Sequence, residues 1–378
     1  MIESVTDRLQ ARFAHRLLEQ AKREIGHPRP RLTGRLMIAF ILSILVLLTP
    51  FLLIIGGGAL IWITWANLFS IIIGLILIGF GYVLLPPRNR NTQKTYRRAD
   101  LPALFALLDD IAARLGTTAP DGVHFDNEFN AYMGQFTAPS GRRQEWILGI
   151  GLILWEASSP AERIAHLAHE LAHKVNEDPM RHGVFFRANW VLNNWYDTFE
   201  MNLDNDMDGG FTQIIGLAVV GGYIKLLSRY WFFESQRAEY RADAFASRVS
   251  GNAANITSLE MLTRHDLARR AIVDLYPYTK DQSGRIFDHI GAAVSDASLE
   301  TVDRFLAEAA QEKRCVDASH PPTVMRIEFL RSLPAEVDQD AINMADIDFG
   351  PIDAEIRPIK DALGKEFMQD LYDSEVNR

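Results

Sequence analysis

Cysteine is almost missing from this chain: Cys315 is the single one in 378 residues. That scarcity excludes a disulfide scaffold and any cysteine-based zinc site, and it fits a reducing compartment. Positive charge is also in deficit, with 39 basic residues against 48 acidic ones and a formal net charge of −9. Such a balance gives no overall attraction for nucleic acid, and no cysteine-rich zinc knuckle supplies a local one. Apolar residues make up 48% and charged residues 23%, so the chain is neither acidic and disordered nor of low complexity. No internal repeat is visible. The sharpest absence is local: residues 36–87 contain no Asp, Glu, Lys, Arg or His. A helix crosses the hydrocarbon core in about 20 residues, so this block is long enough for two crossings. A secretory signal peptide is a poor alternative, because a largely polar segment comes first and the apolar run is too long.

The uncharged block divides around Gly56-Gly57-Gly58, giving one span over about 36–55 and a second over about 61–85. Before it, residues 1–35 carry Arg8, Arg12, Arg16, Lys22, Arg23, Arg29, Arg31 and Arg35. The spacing of Leu9, Phe13, Leu17 and Leu18 predicts an amphipathic helix there, either on the membrane surface or as a solvated arm. After it come Arg88, Arg90, Lys94, Arg97 and Arg98, while the connecting loop is uncharged. The positive-inside rule then places both flanks, and everything beyond Arg88, in the cytoplasm.

Residues 88–333 read as a mainly α domain with a small β-sheet, an α+β class. A helix is expected over 101–115, and short strands over 123–126, 130–136 and 146–150. Ser159-Pro160-Ala161-Glu162 opens a second helix with proline at its first position, and Pro179 stops it beyond about residue 176. Residues 185–199 and 229–249 also look helical. The acidic run at 204–210 lacks the terminal glutamate of a calcium loop and reads as solvated. Residues 211–231 are apolar but interrupted by Lys225 and Arg229, consistent with a helix buried in the domain or dipping into the membrane. Residues 334–378 form an acidic C-terminal tail.

Chemistry concentrates in His169-Glu170-Leu171-Ala172-His173. On a helix, His169 and His173 lie on one face a turn apart and can share one zinc ion. Glu170, about 100° around the helix, can reach a water at the metal and act as general base. A solvated His/Glu face is a poor alternative, because Ile164, Leu167, Ala168, Leu171 and Ala172 make the helix largely buried. A catalytic zinc needs a third protein ligand and an open position. Asn176 and Pro179 exclude the metzincin continuation. Glu239-Tyr240-Arg241-Ala242-Asp243 fits best instead: Glu239 ligates and Asp243 accepts the free ring N–H of a ligand histidine. Glu234 and the acidic loop are weaker candidates.

These residues reach a known family. The chain resembles the HtpX-like integral membrane zinc metalloproteases, which are related to the CAAX prenyl proteases. Four separated motifs carry the resemblance. They are Asn130-Ala131-Tyr132 with Gly151-Leu152, His169 to His173 continuing into Asn176-Glu177-Asp178, Glu239 to Asp243, and Ser319-His320-Pro321-Pro322-Thr323 with Arg326-Ile327. The resemblance implies a zincin-like domain behind a transmembrane hairpin, with zinc held by His169, His173 and Glu239. It implies Glu170 as base and acid, with Asp243 behind the ligands. His320 either assists the oxyanion or belongs structurally to the start of a C-terminal helix. Glu177 departs from the family's glycine. His166, where the family is apolar, is a hydrogen-bonded core histidine, a donor behind the ligands or an alternative ligand.

The expected function is a membrane-anchored endopeptidase binding one Zn2+ per chain. It would act on the cytoplasmic side of the cell (inner) membrane on protein or peptide substrates, with no nucleic-acid partner. The strand near 146–150 would bind substrate by edge addition. Resemblance further implies misfolded membrane proteins as substrates. The alternatives are a CAAX-type processing protease, a non-catalytic zinc-stabilised membrane scaffold, and the same enzyme in reversed topology.

Overall fold

A computed structural model describes residues 5–24, 34–86, 93–138, 140–141, 143–175, 183–205, 210–275, 284–310, 320–334 and 341–376. The motif residues Asn176, Glu177, Asp178 and Ser319, together with Pro179, Cys315 and most of the acidic run at 204–210, lie outside them. In order, the first elements are α1 (Val5–Arg23), α2 (Gly34–Ile63), α3 (Leu68–Val83), α4 (Pro102–Leu115), β1 (Gly122–Asp126), β2 (Ala131–Thr137) and β3 (Gln144–Gly151). Then come α5 (Leu152–Ala157), α6 (Pro160–Val175), α7 (Gly183–Asn205), α8 (Phe211–Ser250), α9 (Asn252–Leu262) and α10 (His265–Leu275). The series closes with α11 (Ile286–Ser295), α12 (Leu299–Ala310), α13 (Thr323–Arg331) and α14 (Gly350–Val376). The fold is thus mainly helical with one small sheet, as the sequence predicts.

The chain forms two compact units: one of residues 1–30, 90–178 and 235–378, the other of residues 31–89 and 179–234. The domain expected over 88–333 is therefore interrupted, because residues 179–234 belong with the apolar block.

In the second unit, α2 runs through the three glycines without a break, and the turn falls at 64–67. The glycines serve packing instead. A Cβ on Gly57 would come within 2.5 Å of the Gly74 carbonyl oxygen, and one on Gly74 within 2.7 Å of that of Gly57. The absence of a side chain at these positions lets α2 and α3 pack backbone to backbone. Asn67 ends the turn: its side chain accepts from the N–H groups of Phe69 and Ser70 and caps α3. Among the described residues one helix, Gly34–Ile63, is long and apolar enough to cross a membrane, and Leu68–Val83 is apolar but shorter. Residues 211–231 and 229–249 join as the single 40-residue α8, since Lys225 and Arg229 interrupt the apolar pattern but do not break a helix.

In the first unit, β3 lies between β1, which it pairs in parallel, and β2, which it pairs antiparallel. The core gathers Leu104, Leu108 and Ile111 of α4, Val123 and Phe125 of β1, Leu148 of β3, and Leu167 and Leu171 of α6. Two segments depart from expectation. Leu17 and Leu18 of α1 are buried, Lys22 pairs with Glu328 on α13, and Glu24 accepts two hydrogen bonds from Arg237. The apolar face of α1 is thus spent inside the protein. The acidic C-terminal segment folds as α14, whose Ile352, Ile356, Ile359 and Met368 belong to the core.

Candidate metal centre

Four elements of the first unit build the site. α6 starts with a reciprocal cap: the Ser159 N–H donates to Glu162 Oε2 at 2.7 Å, and the Glu162 N–H to Ser159 Oγ at 3.4 Å. Ile164, Leu167, Ala168, Leu171 and Ala172 are buried, which fixes the rotation of the helix about its axis. His169, Glu170 and His173 then fall together, their donor atoms within 4.8 Å of one another. His173 is fully buried and Glu170 is 6% exposed.

Glu239 reaches the same point from α8. Its carboxylate lies 3.4 Å from His169 Nε2 and 3.5 Å from His173 Nε2, and the two imidazole nitrogens stand 3.2 Å apart. Ligands at about 2.0–2.1 Å around a tetrahedral zinc are separated by about 3.4 Å along each edge. The spacings are of that size, with each imidazole meeting a different Glu239 oxygen, and two imidazoles with a carboxylate are a donor set suited to zinc. The residues fit a zinc ion.

Asp243, one turn further along α8, is fully buried with Oδ1 3.1 Å from His169 Nδ1. That contact occupies the ring nitrogen facing away from Glu239 and directs Nε2 inward. His320, just before α13, has Nδ1 3.0 Å from Glu239 Oε2 and a side chain 54% exposed. The helix N-cap position is Pro322, which makes no side-chain cap. His320 therefore sits against the carboxylate rather than capping α13.

Charge and burial compete throughout. Burial opposes the His169 imidazolium, but hydrogen bonds to Asp243 and Glu239 outweigh it and push its pKa up to about 9. Burial also works against the Glu239 carboxylate, yet His320, His173 and His169 hold it well below its ordinary range. Asp243 is likewise lowered, burial being overcome by Arg326 and then by His169.

Two participants were not singled out from sequence. The Met133 N–H on β2 donates to Glu170 Oε2 at 2.9 Å. A backbone donor carries no side-chain signature, so only the topology reveals it. Arg326 of α13 forks onto Asp243, Nη2 to Oδ1 at 2.6 Å and Nε to Oδ2 at 2.9 Å. Its signal was present in the Arg326-Ile327 motif, but nothing in the spacing names its partner.

His166 does not join the donors. Burial and the neighbouring His169 push its pKa down to about 3, and its Nε2 is buried with no hydrogen-bond partner among the described residues. It lines a small cavity with Trp155 and Ser158. The expected hydrogen bond is therefore not seen there. The strand assigned to substrate also changes. β3 is central and has partners on both sides, so it has no edge to offer. β2 does: its outer side pairs with no strand among the described residues. Met133 gives its N–H outward, so Ala131 and Gln135 share that outward parity.

Comparison with known proteins gives a consistent picture. The model for peptidase family M48 matches residues 102–334. Proteins named Protease HtpX from Pseudomonas paraeruginosa (strain DSM 24068 / PA7) and Stutzerimonas stutzeri (strain A1501) are each 27% identical over 191 residues. Those alignments cover 48% of this chain and 60% of each relative. Protease HtpX of Pseudomonas putida (strain W619) is 26% identical over 193 residues, 48% of this chain and 59% of its own. The chain thus spans about three fifths of the length of the curated relatives it matches. No solved structure matches.

Proposed function

Because the chain belongs to peptidase family M48, we propose that it is a membrane-anchored zinc endopeptidase that cuts extended protein segments on the cytoplasmic side of the inner membrane. The observation carrying this reading is the convergence of the His169 and His173 Nε2 atoms and the Glu239 carboxylate within 3.2–3.5 Å of one another, with Glu170 beside them. When bound, zinc supplies Lewis-acid polarisation of the scissile carbonyl and acidifies a water molecule. His169, His173 and Glu239 are the residues that would hold it.

Glu170 takes a proton from the attacking water and delivers it to the departing amine. The Met133 N–H steadies one carboxylate oxygen for that task. The substrate lies as an added strand along the outer side of β2, bonded to the outward backbone groups of Ala131 and Gln135. That docking replaces the one expected on β3. His320, half exposed beside Glu239, supports the developing oxyanion.

The membrane reading rests on the apolar unit. Side chains such as Leu52, Ile55, Leu68, Phe69 and Ile76 are more than half exposed, and Trp62 and Trp65 stand at the turn between α2 and α3. In water such a surface would be a liability, whereas against lipid it is ordinary, with the tryptophans at the interface. Arg31 and Arg35 on one flank and Arg88, Arg90 and Lys94 on the other favour a hairpin with both ends in the cytoplasm. A role in membrane-protein quality control follows from the family resemblance.

The experiment pairs zinc content with cleavage of an unfolded model protein, comparing detergent-purified wild type with Glu170→Gln. About one zinc in each, with cutting by the wild type alone, is the expected result. Zinc in both without cutting in either favours a non-catalytic scaffold or a narrow processing enzyme. No zinc in either removes the site assignment.

A further inference from the structure

Around the three donors, buried side chains concentrate charge of both signs. Glu170, Glu239 and Asp243 are buried carboxylates, and Arg326, 7% exposed, is the buried cation that faces them. Its Nη2 and Nε grip both oxygens of Asp243 at 2.6 and 2.9 Å. Its Nη1 lies 3.5 Å from Glu239 Oε2. Asp243 in turn meets His169 Nδ1 at 3.1 Å. The guanidinium, from a third element, α13, thus touches Asp243 and Glu239, and its Nη2 also lies 3.4 Å from both ring nitrogens of His169.

We propose that Arg326 is a positioning residue of the metal centre: its two-pronged hold on Asp243 fixes the ring of His169, and its third nitrogen steadies Glu239. The inference rests on the reading that His169, His173 and Glu239 hold zinc. A carboxylate gripped at both oxygens cannot rotate about its Cβ–Cγ bond, so the oxygen serving His169 stays in place. A lysine would retain the charge but lose the planar fork.

The charge arithmetic makes the idea falsifiable, because it pulls the other way. Three carboxylates and one guanidinium leave a net of −2, and removing Arg326 leaves −3. By Coulomb's law alone, losing a nearby cation should tighten the binding of a dication. Positioning requires the opposite.

The test measures zinc affinity of the full-length, detergent-purified chain by competition with a chromophoric chelator. The visible absorption of the Co2+-substituted protein serves as a second readout. Expected results are a loss of about 10–100-fold for both Arg326→Gln and Arg326→Lys, with an altered Co2+ spectrum. Asp243→Asn combined with Arg326→Gln should lose less than the product of the two single losses, since part of the arginine's hold runs through that carboxylate. Should Arg326→Gln fail to fold, Arg326→Lys decides. Unchanged or tighter zinc binding in the folded variants overturns the proposal, as does an Arg326→Lys protein equal to wild type or a fully additive double variant. Those outcomes leave the metal centre standing. A wild type that binds no zinc removes the centre and this inference together.

Discussion

At the scale of single residues, the histidines of α6 divide by their partners. His169 is held by Asp243 and Glu239 and is pushed up to about 9. His166, one turn earlier, is pushed down to about 3, chiefly by burial, and has an unpartnered Nε2 among the described residues. A buried polar atom without a partner costs about 1–3 kcal/mol. His166→Leu is therefore expected to stabilise the chain by about 1 kcal/mol at pH 7.5 and leave zinc content unchanged. The pH dependence has a definite sign. Because the folded-state pKa of His166 lies below its ordinary value of about 6.5, the unfolded chain binds more protons, and stability falls as pH drops from about 6.5 towards 3. Leucine escapes that loss. The gap in denaturation midpoint between variant and wild type should widen on acidification, and a constant gap would refute the assignment. The pairs His169/His173 and Glu239/Asp243 were readable directly, because four-residue spacing puts each pair on one face of its own helix; that the two helices meet was not. Nor was His166. Whether a histidine in a buried helix finds a partner depends on side chains of α5, far from it in the pattern.

At the scale of elements, glycine placement separates packing from turning. Gly57 and Gly58 are neighbours in α2, yet a Cβ on Gly57 meets backbone at 2.5 Å while one on Gly58 meets nothing within 4 Å. Gly57→Ala should therefore cost about 1–3 kcal/mol through overpacking. Gly58→Ala should gain up to about 1 kcal/mol from helix propensity. Thermal unfolding of the two variants in the same detergent checks both signs at once. The glycine triplet misplaced the turn because sequence shows only that glycine permits a bend, while the close approach of α3 shows what it does instead. Strand boundaries were legible to within two residues, since Gly and Pro-Ser-Gly turns frame short apolar runs. Which strand occupies the middle was not legible, because the order β1-β3-β2 follows from a parallel pairing that alternation cannot encode.

At the scale of the whole molecule, the largest difference from the sequence reading is the C-terminal segment. Its acidic surface concealed an apolar stripe, and α14 completes the core of the first unit. It is also tied by charge: Lys360 Nζ lies 2.8 Å from Glu156 Oε1 on α5 and 2.5 Å from Asp288 Oδ1 on α11. Lys360→Gln leaves two carboxylates without that cation and should cost about 3 kcal/mol. For Asp288, burial is outweighed by Lys360 and its pKa is lowered. That part of the stability is present above the ordinary carboxylate pKa of about 4 and lost as pH falls through the lowered value. For Lys360, burial is outweighed by Asp288 and Glu156 and the pKa is raised. Its part is complete below about 10.4 and lost as pH rises through the raised value. Unfolding free energies of wild type and variant should thus differ most between these limits and converge at acid pH.

The hydrogen bond from Met133 to Glu170 has a further consequence. Under the proposed function it joins the general base to the strand on which a peptide would lie, so base and substrate would be measured from one backbone. A native helix or a paired strand has already committed its N–H and C=O groups and brings nothing to that edge. Admission would depend on a target having lost its structure rather than on which side chains it carries. On this view the proposed peptidase would need no recognition motif: a client would mark itself for cutting by coming undone.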